Sequence, residues 1–155
     1  QERVSKYISH SLGVVQSNSY EENKAWADKH LTDASELTGN VTINMPNLPP
    51  IPQKMTMTKE LFLSSLKQNI ASVMSAKVSN VKVDKLKIAK DGRSAFISSE
   101  YQLDEHRREN GAMIKSKTKV KCQDLIALDQ MNIIKVSKSY CDINMFLRPI
   151  QQQER

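Results

Sequence analysis

The sequence predicts an α+β fold in which three N-terminal helices pack on a strongly curved, mainly antiparallel β-sheet. Three observations carry this expectation. Apolar residues recur at helical spacing through the first half of the chain. From about Val78 onward the pattern changes to stretches rich in Val, Ile and Lys that alternate with period two. Turn signals such as Asp91-Gly92 and Asn110-Gly111 divide that second half into long strands. With 155 residues, 39% hydrophobic and 26% charged, the chain suits one domain over residues 1–150, followed by a polar tail over 151–155 that reads as frayed.

Val4, Tyr7, Ile8, Leu12 and Val15 place an amphipathic helix over residues 2–16. Ser19-Tyr20-Glu21-Glu22 has the form of a capping box. The helix it opens runs to about Leu31, where Thr32-Asp33-Ala34-Ser35 is poor helix material. Val41-Thr42-Ile43 is a short strand signal. Four prolines between Pro46 and Pro52 then predict an extended crossing loop, because proline removes a backbone donor. Thr58 caps a third helix, with Leu61, Phe62, Leu66, Ile70 and Val73 on one face, ending near Ala76.

The remainder reads as strand. Val78–Lys90 and Ser94–Leu103 form a hairpin about Asp91-Gly92, and Asp104–Gly111 reads as a charged loop. Met113–Leu128 and Ile133–Phe146 are two further long strands. In the first of these, Lys115, Lys117, Lys119 and Lys121 alternate with Ile114, Ser116, Thr118 and Val120, so all four ammonium groups share one face. That face must be wet, and the opposite one must meet the helices.

The formal net charge of +6 lies wholly between Lys77 and Arg148, where 15 basic residues face 9 acidic ones. Such a stretch suits an acidic protein surface or lipid headgroups, and equally a solvated sheet whose lysines guard it against edge pairing. Aromatic residues make up only 5% of the chain and none interleaves with the lysine ladder, which argues against a sequence-specific nucleic-acid partner. No apolar run is long enough to span a bilayer. A chain starting at Gln1 fits export to the periplasm or the exterior after loss of a leader or an anchor. Asn40-Val41-Thr42 is a glycosylation sequon, meaningful only in a eukaryotic secretory pathway.

Chemistry-bearing groups are sparse. His10, His30 and His106 show no metal-ligand spacing, and no glycine-rich phosphate loop exists, so no metal or cofactor is expected. His10 and His30 read as helix-surface residues and His106 as a solvated loop residue. Cys122 and Cys141 fall on adjacent strands and are candidates for a disulfide. Pairing them directly sets Ile126 against Ser137. Shifting the register by one pairs Ile126 with Val136 but turns the sulfurs to opposite faces. A β-bulge would reconcile the two demands.

The order of elements resembles the nuclear transport factor 2-like superfamily, the cone-shaped relatives of cystatin. Lys24-Ala25-Trp26-Ala27-Asp28-Lys29-His30-Leu31-Thr32-Asp33 is similar to that family's second helix and the acidic turn after it. The proline segment with Thr58-Lys59-Glu60-Leu61-Phe62-Leu63 is similar to its lead into the third helix. Ala89-Lys90-Asp91-Gly92-Arg93-Ser94-Ala95-Phe96 is similar to its Asp-Gly hairpin, and Ile133-Ile134-Lys135-Val136 to its final strand. Asn132 stands where the family often has Trp. The resemblance implies a bent sheet folded around the third helix, with a conical pocket open at one end.

Because members of that family range from isomerases and cyclases to transport factors and secretion-system subunits, fold narrows function little. With no paired catalytic constellation in view, the leading expectation is an exported, non-enzymatic domain. It would act by protein association or by holding a small apolar ligand, with Trp26, Phe62 and Tyr101 as pocket walls. Lys115, Lys117, Lys119 and Lys121 would face an acidic partner or a weak homodimer, since desolvating four charges opposes a tight apolar one. One alternative is an isomerase- or cyclase-like enzyme with Asp33 as general base. Another is the periplasmic domain of a membrane-anchored secretion-system or envelope subunit.

Overall fold

A computed structural model describes residues 2–150, and the tail expected over 151–155 lies outside the described residues. Helices α1 (Glu2–Ser17), α2 (Tyr20–His30) and α3 (Lys59–Ser72) pack on the inner face of a curved six-stranded sheet. The strands are β1 (Glu36–Asn44), β2 (Ile51–Met57), β3 (Val73–Ile88), β4 (Ser94–Glu109), β5 (Ala112–Leu128) and β6 (Ile134–Pro149), in the order β2-β1-β6-β5-β4-β3. The β1–β6 pairing is parallel and the other pairings are antiparallel.

Local signals explain most boundaries. The Ser19 hydroxyl accepts the Glu22 N–H at 3.2 Å to start α2, and the Thr58 hydroxyl accepts that of Leu61 at 3.3 Å to start α3. The proline segment departs from expectation. Pro46, Pro49 and Pro50 lie in the connection, but Pro52 sits within β2, opposite Thr42. As β2 is an edge strand, a missing donor there costs no ladder bond to a second neighbour. The charged loop expected at Asp104–Gly111 is strand up to Glu109. Only Asn110-Gly111 turns, both residues having positive φ (52° and 79°), as a tight two-residue hairpin loop requires.

The apolar core gathers under α1 and α2, where Tyr7, Ala27, Leu31, Ile97, Ile126 and Val136 are buried. His30 belongs to this core and not to the surface, being 5% exposed. Its Nδ1 donates to the Ile134 carbonyl at 2.8 Å, and its ring lies edge-on to Tyr7 at 5.0 Å and tilted to Trp26 at 5.5 Å. Burial lowers its pKa and so favours the neutral imidazole.

The β5–β6 ladder settles the register. Cys122 lies opposite Cys141, their sulfurs bonded, and Asp124 lies opposite Ser139. The ladder then slips between Leu125 and Ile126, so that Ile126 meets Val136 and Leu128 meets Ile134. The bulge keeps both cysteines and both apolar pairs on the inner face. Lys115, Lys117, Lys119 and Lys121 are all exposed, while Ser116, Thr118 and Val120 between them are buried.

At the end of the sheet far from this core, the inner face turns polar. Arg107 and Glu105 are paired at 3.4 Å with only 9% and 8% of their side chains exposed. Arg107 also donates to Asn69 at 2.5 Å and to Ser72 at 3.1 Å, tying the end of α3 to β4. Ser116 donates to Glu105 at 3.4 Å, and the neighbouring Thr118 hydroxyl is buried with no protein partner among the described residues. Arg107→Leu strands a buried carboxylate and should lower unfolding stability by about 3 kcal/mol, whereas Glu105→Leu/Arg107→Leu should recover most of that loss. Denaturant titration checks this, and equal losses in the two variants would contradict it. Replacing both cysteines by alanine should cost about 3 kcal/mol by the same measurement, because the bond closes a loop of 19 residues' separation.

Candidate functional site

Between α1 and the middle of the inner face the sheet leaves a cavity of about 150 Å³. Its walls are chiefly apolar: Ile8, Leu12 and Val15 from α1, Trp26 from α2, and Leu37, Ile97 and Val136 from the sheet. The Ser11 hydroxyl fixes the Trp26 ring by accepting its indole N–H at 2.8 Å and itself donates to the Tyr7 carbonyl at 2.8 Å. Strand alternation delivers the polar groups. Ser99, Tyr101, Asp124 and Ser139 all occupy inward positions on three adjacent strands, and Tyr7 closes the cavity from the helix side.

Asp124 is the chemically distinctive residue. Burial raises its pKa, and Ser139 opposite it offsets this only in part. The phenol of Tyr101 is pushed up to about 12, first by burial and then by the charge of Asp124. Tyr7 is raised for the same two reasons, in the same order. All three shifts act toward the neutral form. The Asp124 carboxyl can accept a hydrogen bond from a ligand hydroxyl and, when protonated, donate one to a ligand oxygen, within walls that otherwise offer shape alone.

Among the residues singled out in the sequence, Trp26 and Tyr101 line this cavity. Phe62 does not; it packs behind, with its ring 6.4 Å from that of Trp26. Asp33 is exposed in the turn after α2 and does not line the cavity. The chain leaves the helix there with its polar side chains outward and turns inward only at Ser35, whose hydroxyl donates to the Val136 carbonyl at 2.5 Å. The carboxylate in the cavity is Asp124, which sequence reading passed over. Its signal was the period of two itself: it lies on the inward register of Ser116, Thr118, Val120 and Ile126.

The outer face is less uniform than four lysines in a row suggest. Lys121 lies between Glu100 and Asp142 on the neighbouring strands, and Lys119 between Gln102 and Asn144. Lys117 lies between Asp104 and Phe146, and Lys115 between His106 and Arg148. Aromatic residues absent along β5 are supplied by β6, whose Tyr140 and Phe146 are 39% and 45% exposed. Among the described residues no helix is long and apolar enough to cross a membrane, and no group of three or more His, Cys, Asp or Glu is placed to hold a metal ion.

No protein-family model and no curated protein matches the chain. Solved structures do. A ketosteroid isomerase-like protein from Erwinia carotovora atroseptica is 10% identical, with a TM-score of 0.58 covering 90% of this chain and 91% of that one. A nuclear transport factor 2-like protein from Cytophaga hutchinsonii is 13% identical, with a TM-score of 0.55 covering 91% and 95%. A hexachlorocyclohexane dehydrochlorinase of type 2 is 10% identical, with a TM-score of 0.58 covering 96% and 87%. At these identities the likeness concerns architecture, and both enzymes and proteins named only by their fold share it. The chain has the nuclear transport factor 2-like fold.

Proposed function

We propose that the chain is a non-enzymatic binding domain whose inner cavity holds a small, mainly apolar ligand carrying one oxygen function. The observation that supports this most is the pairing of apolar walls with one carboxyl, Asp124, whose pKa burial raises, together with the phenols of Tyr7 and Tyr101. Volume bounds the ligand. An apolar cavity of about 150 Å³ accepts a molecule of benzene's size, well short of the roughly 300 Å³ where drug-sized pockets begin. The bonded Cys122–Cys141 pair supports an oxidising, exported setting. A second reading is proton transfer at Asp124 in place of the exposed Asp33, and the Asp124–phenol cluster is the observation that favours it.

Trp26 is the chain's one tryptophan and lines the cavity, so its fluorescence reports occupancy. Titration with benzaldehyde should give a saturable change. Asp124→Asn should keep it, and Asp124→Leu should weaken it about tenfold, the worth of one good hydrogen bond in a dry site. A linear, unsaturable response, or equal affinity in the two variants, would overturn the binding reading. Turnover of a carbonyl compound lost in Asp124→Asn would favour the second.

The raised pKa of Asp124 also fixes a sign. Between the unfolded carboxyl pKa, about 3.9, and the higher folded value, the folded chain binds more protons, so this group's contribution to stability falls as pH rises and then levels off. Asp124→Asn removes that loss. Its stability relative to the parent protein should therefore improve as pH rises above about 4 and then level off in denaturant titrations, and a constant difference from about pH 3.5 upward would contradict the assignment.

A further inference from the structure

We propose that the end of the molecule where the start of α1 meets the β3–β4 and β5–β6 turns binds a single-chain anionic amphiphile, a medium-chain fatty acid. This site is separate from the inner cavity and does not rest on that reading. Two clefts meet there, one apolar and one basic, and they share Arg3 and Ile134. The apolar cleft, of about 280 Å³, has walls of Val4, Ile88, Ala95, Ile126, Leu128 and Ile134. The basic cleft, of about 330 Å³, carries Arg3, Lys6, His10 and Lys29 and has no carboxylate in its lining.

Two guanidinium groups meet on one neutral residue. Arg3 donates to the Asn132 carbonyl at 3.4 Å, and Arg93 donates to the Asn132 side-chain oxygen at 3.2 Å. Arg93 is further braced by the Asp129 carbonyl at 2.8 Å, so its stem stands as a fixed wall of the apolar cleft. The Asp129 carboxylate lies close enough to feel Arg93 and Lys135, but its oxygen accepts the N–H groups of Met131 at 2.8 Å and Ile133 at 2.9 Å. Lys6 pairs with Glu2 at 3.6 Å out in solvent. Among the described residues, Arg3, His10 and Lys29 form no ion pair. Lys135 reaches the same place, its ammonium donating to the Lys29 carbonyl at 2.5 Å. The positive field extends to buried His30, whose pKa is lowered chiefly by burial and further by Lys29, His10 and Lys135.

The combination selects the ligand. A guanidinium fork with an ammonium beside it matches a carboxylate, and both are supplied by Arg3 and Lys29. An apolar cavity of about 150 Å³ holds benzene, so a cleft of about 280 Å³ takes roughly twice as many carbons, a chain of about eight to twelve. A small bare anion would leave the apolar cleft unfilled. A neutral hydrocarbon would leave the cations without a counter-charge. A fatty acid satisfies both clefts at once, because they join at Arg3 and Ile134.

Amide chemical-shift mapping with decanoate, below its micelle concentration and at low ionic strength, tests this. Decanoate should saturably shift the amides of residues 93–95 and 126–128 on the chain side and of 29 and 132–134 on the head side. Affinity should rise about fourfold per methylene from hexanoate to decanoate. Arg3→Gln with Lys29→Gln should weaken decanoate at least about tenfold, as loss of charge-assisted bonds implies, while binding of decanol, the same chain without the charge, stays within about twofold. Acetate binding as tightly as decanoate would overturn the proposal, as would decanol binding as tightly. So would shifts confined to residues 99, 101 and 139 of the inner cavity. Binding to phosphatidylcholine vesicles carrying phosphatidylglycerol, with no response to decanoate, would also overturn it, since bilayer headgroups would then suffice.

Discussion

The slip in the β5–β6 ladder at Leu125/Ile126 is the constraint on which the rest of the molecule depends. Side chains on a strand alternate faces, so one register must serve every inward residue from Ser116 to Leu128 unless the ladder is interrupted. An unbroken ladder through Cys122 and Cys141 would set Ile126 against Ser137 and turn Ile134 and Val136 toward water. The extra residue on β6 removes that conflict. Below the slip, Ser139 faces the cavity and Cys141 bonds Cys122 on the same face; above it, Ile134 and Val136 face the core under α1 and α2.

The inner face has three zones along its length. Near α1 and α2 it is dry and closely packed, with His30 as a neutral, hydrogen-bonded pin between α2 and β6. In the middle it opens into the cavity around Asp124. At the far end it becomes the Glu105–Arg107 network that fastens α3, a helix with no buried residue of its own. The helix most loosely held by apolar contact is therefore the one tied down by a charged hydrogen-bond network. On the outer face, Lys121 lies between Glu100 and Asp142, whereas Lys115 lies between His106 and Arg148.

Much of the architecture was legible in the sequence because helical spacing, caps and period-two alternation are local signals. The lysine ladder alone placed β5 and oriented its two faces. Three features were not legible, each for a physical reason. Asp104–Glu109 is so charged that it read as loop, yet its alternation sends Glu105 and Arg107 inward to satisfy each other, which only the partner strands reveal. Pro52 reads as a strand breaker until one knows that β2 lies at an edge. Asp33 drew attention as a carboxylate after the second helix, whereas the carboxyl lining the cavity is Asp124, whose environment is built by Tyr7, Tyr101 and Ser139 from distant parts of the chain.

The most direct test of this account is a set of cross-strand proton contacts from nuclear Overhauser spectroscopy of the oxidised protein. The account predicts contacts joining Cys122 to Cys141 and Asp124 to Ser139, together with contacts joining Ile126 to Val136 in the same molecule. Contacts joining Ile126 to Ser137, the mark of an uninterrupted ladder, would contradict it and would dissolve both the cavity and the core as described.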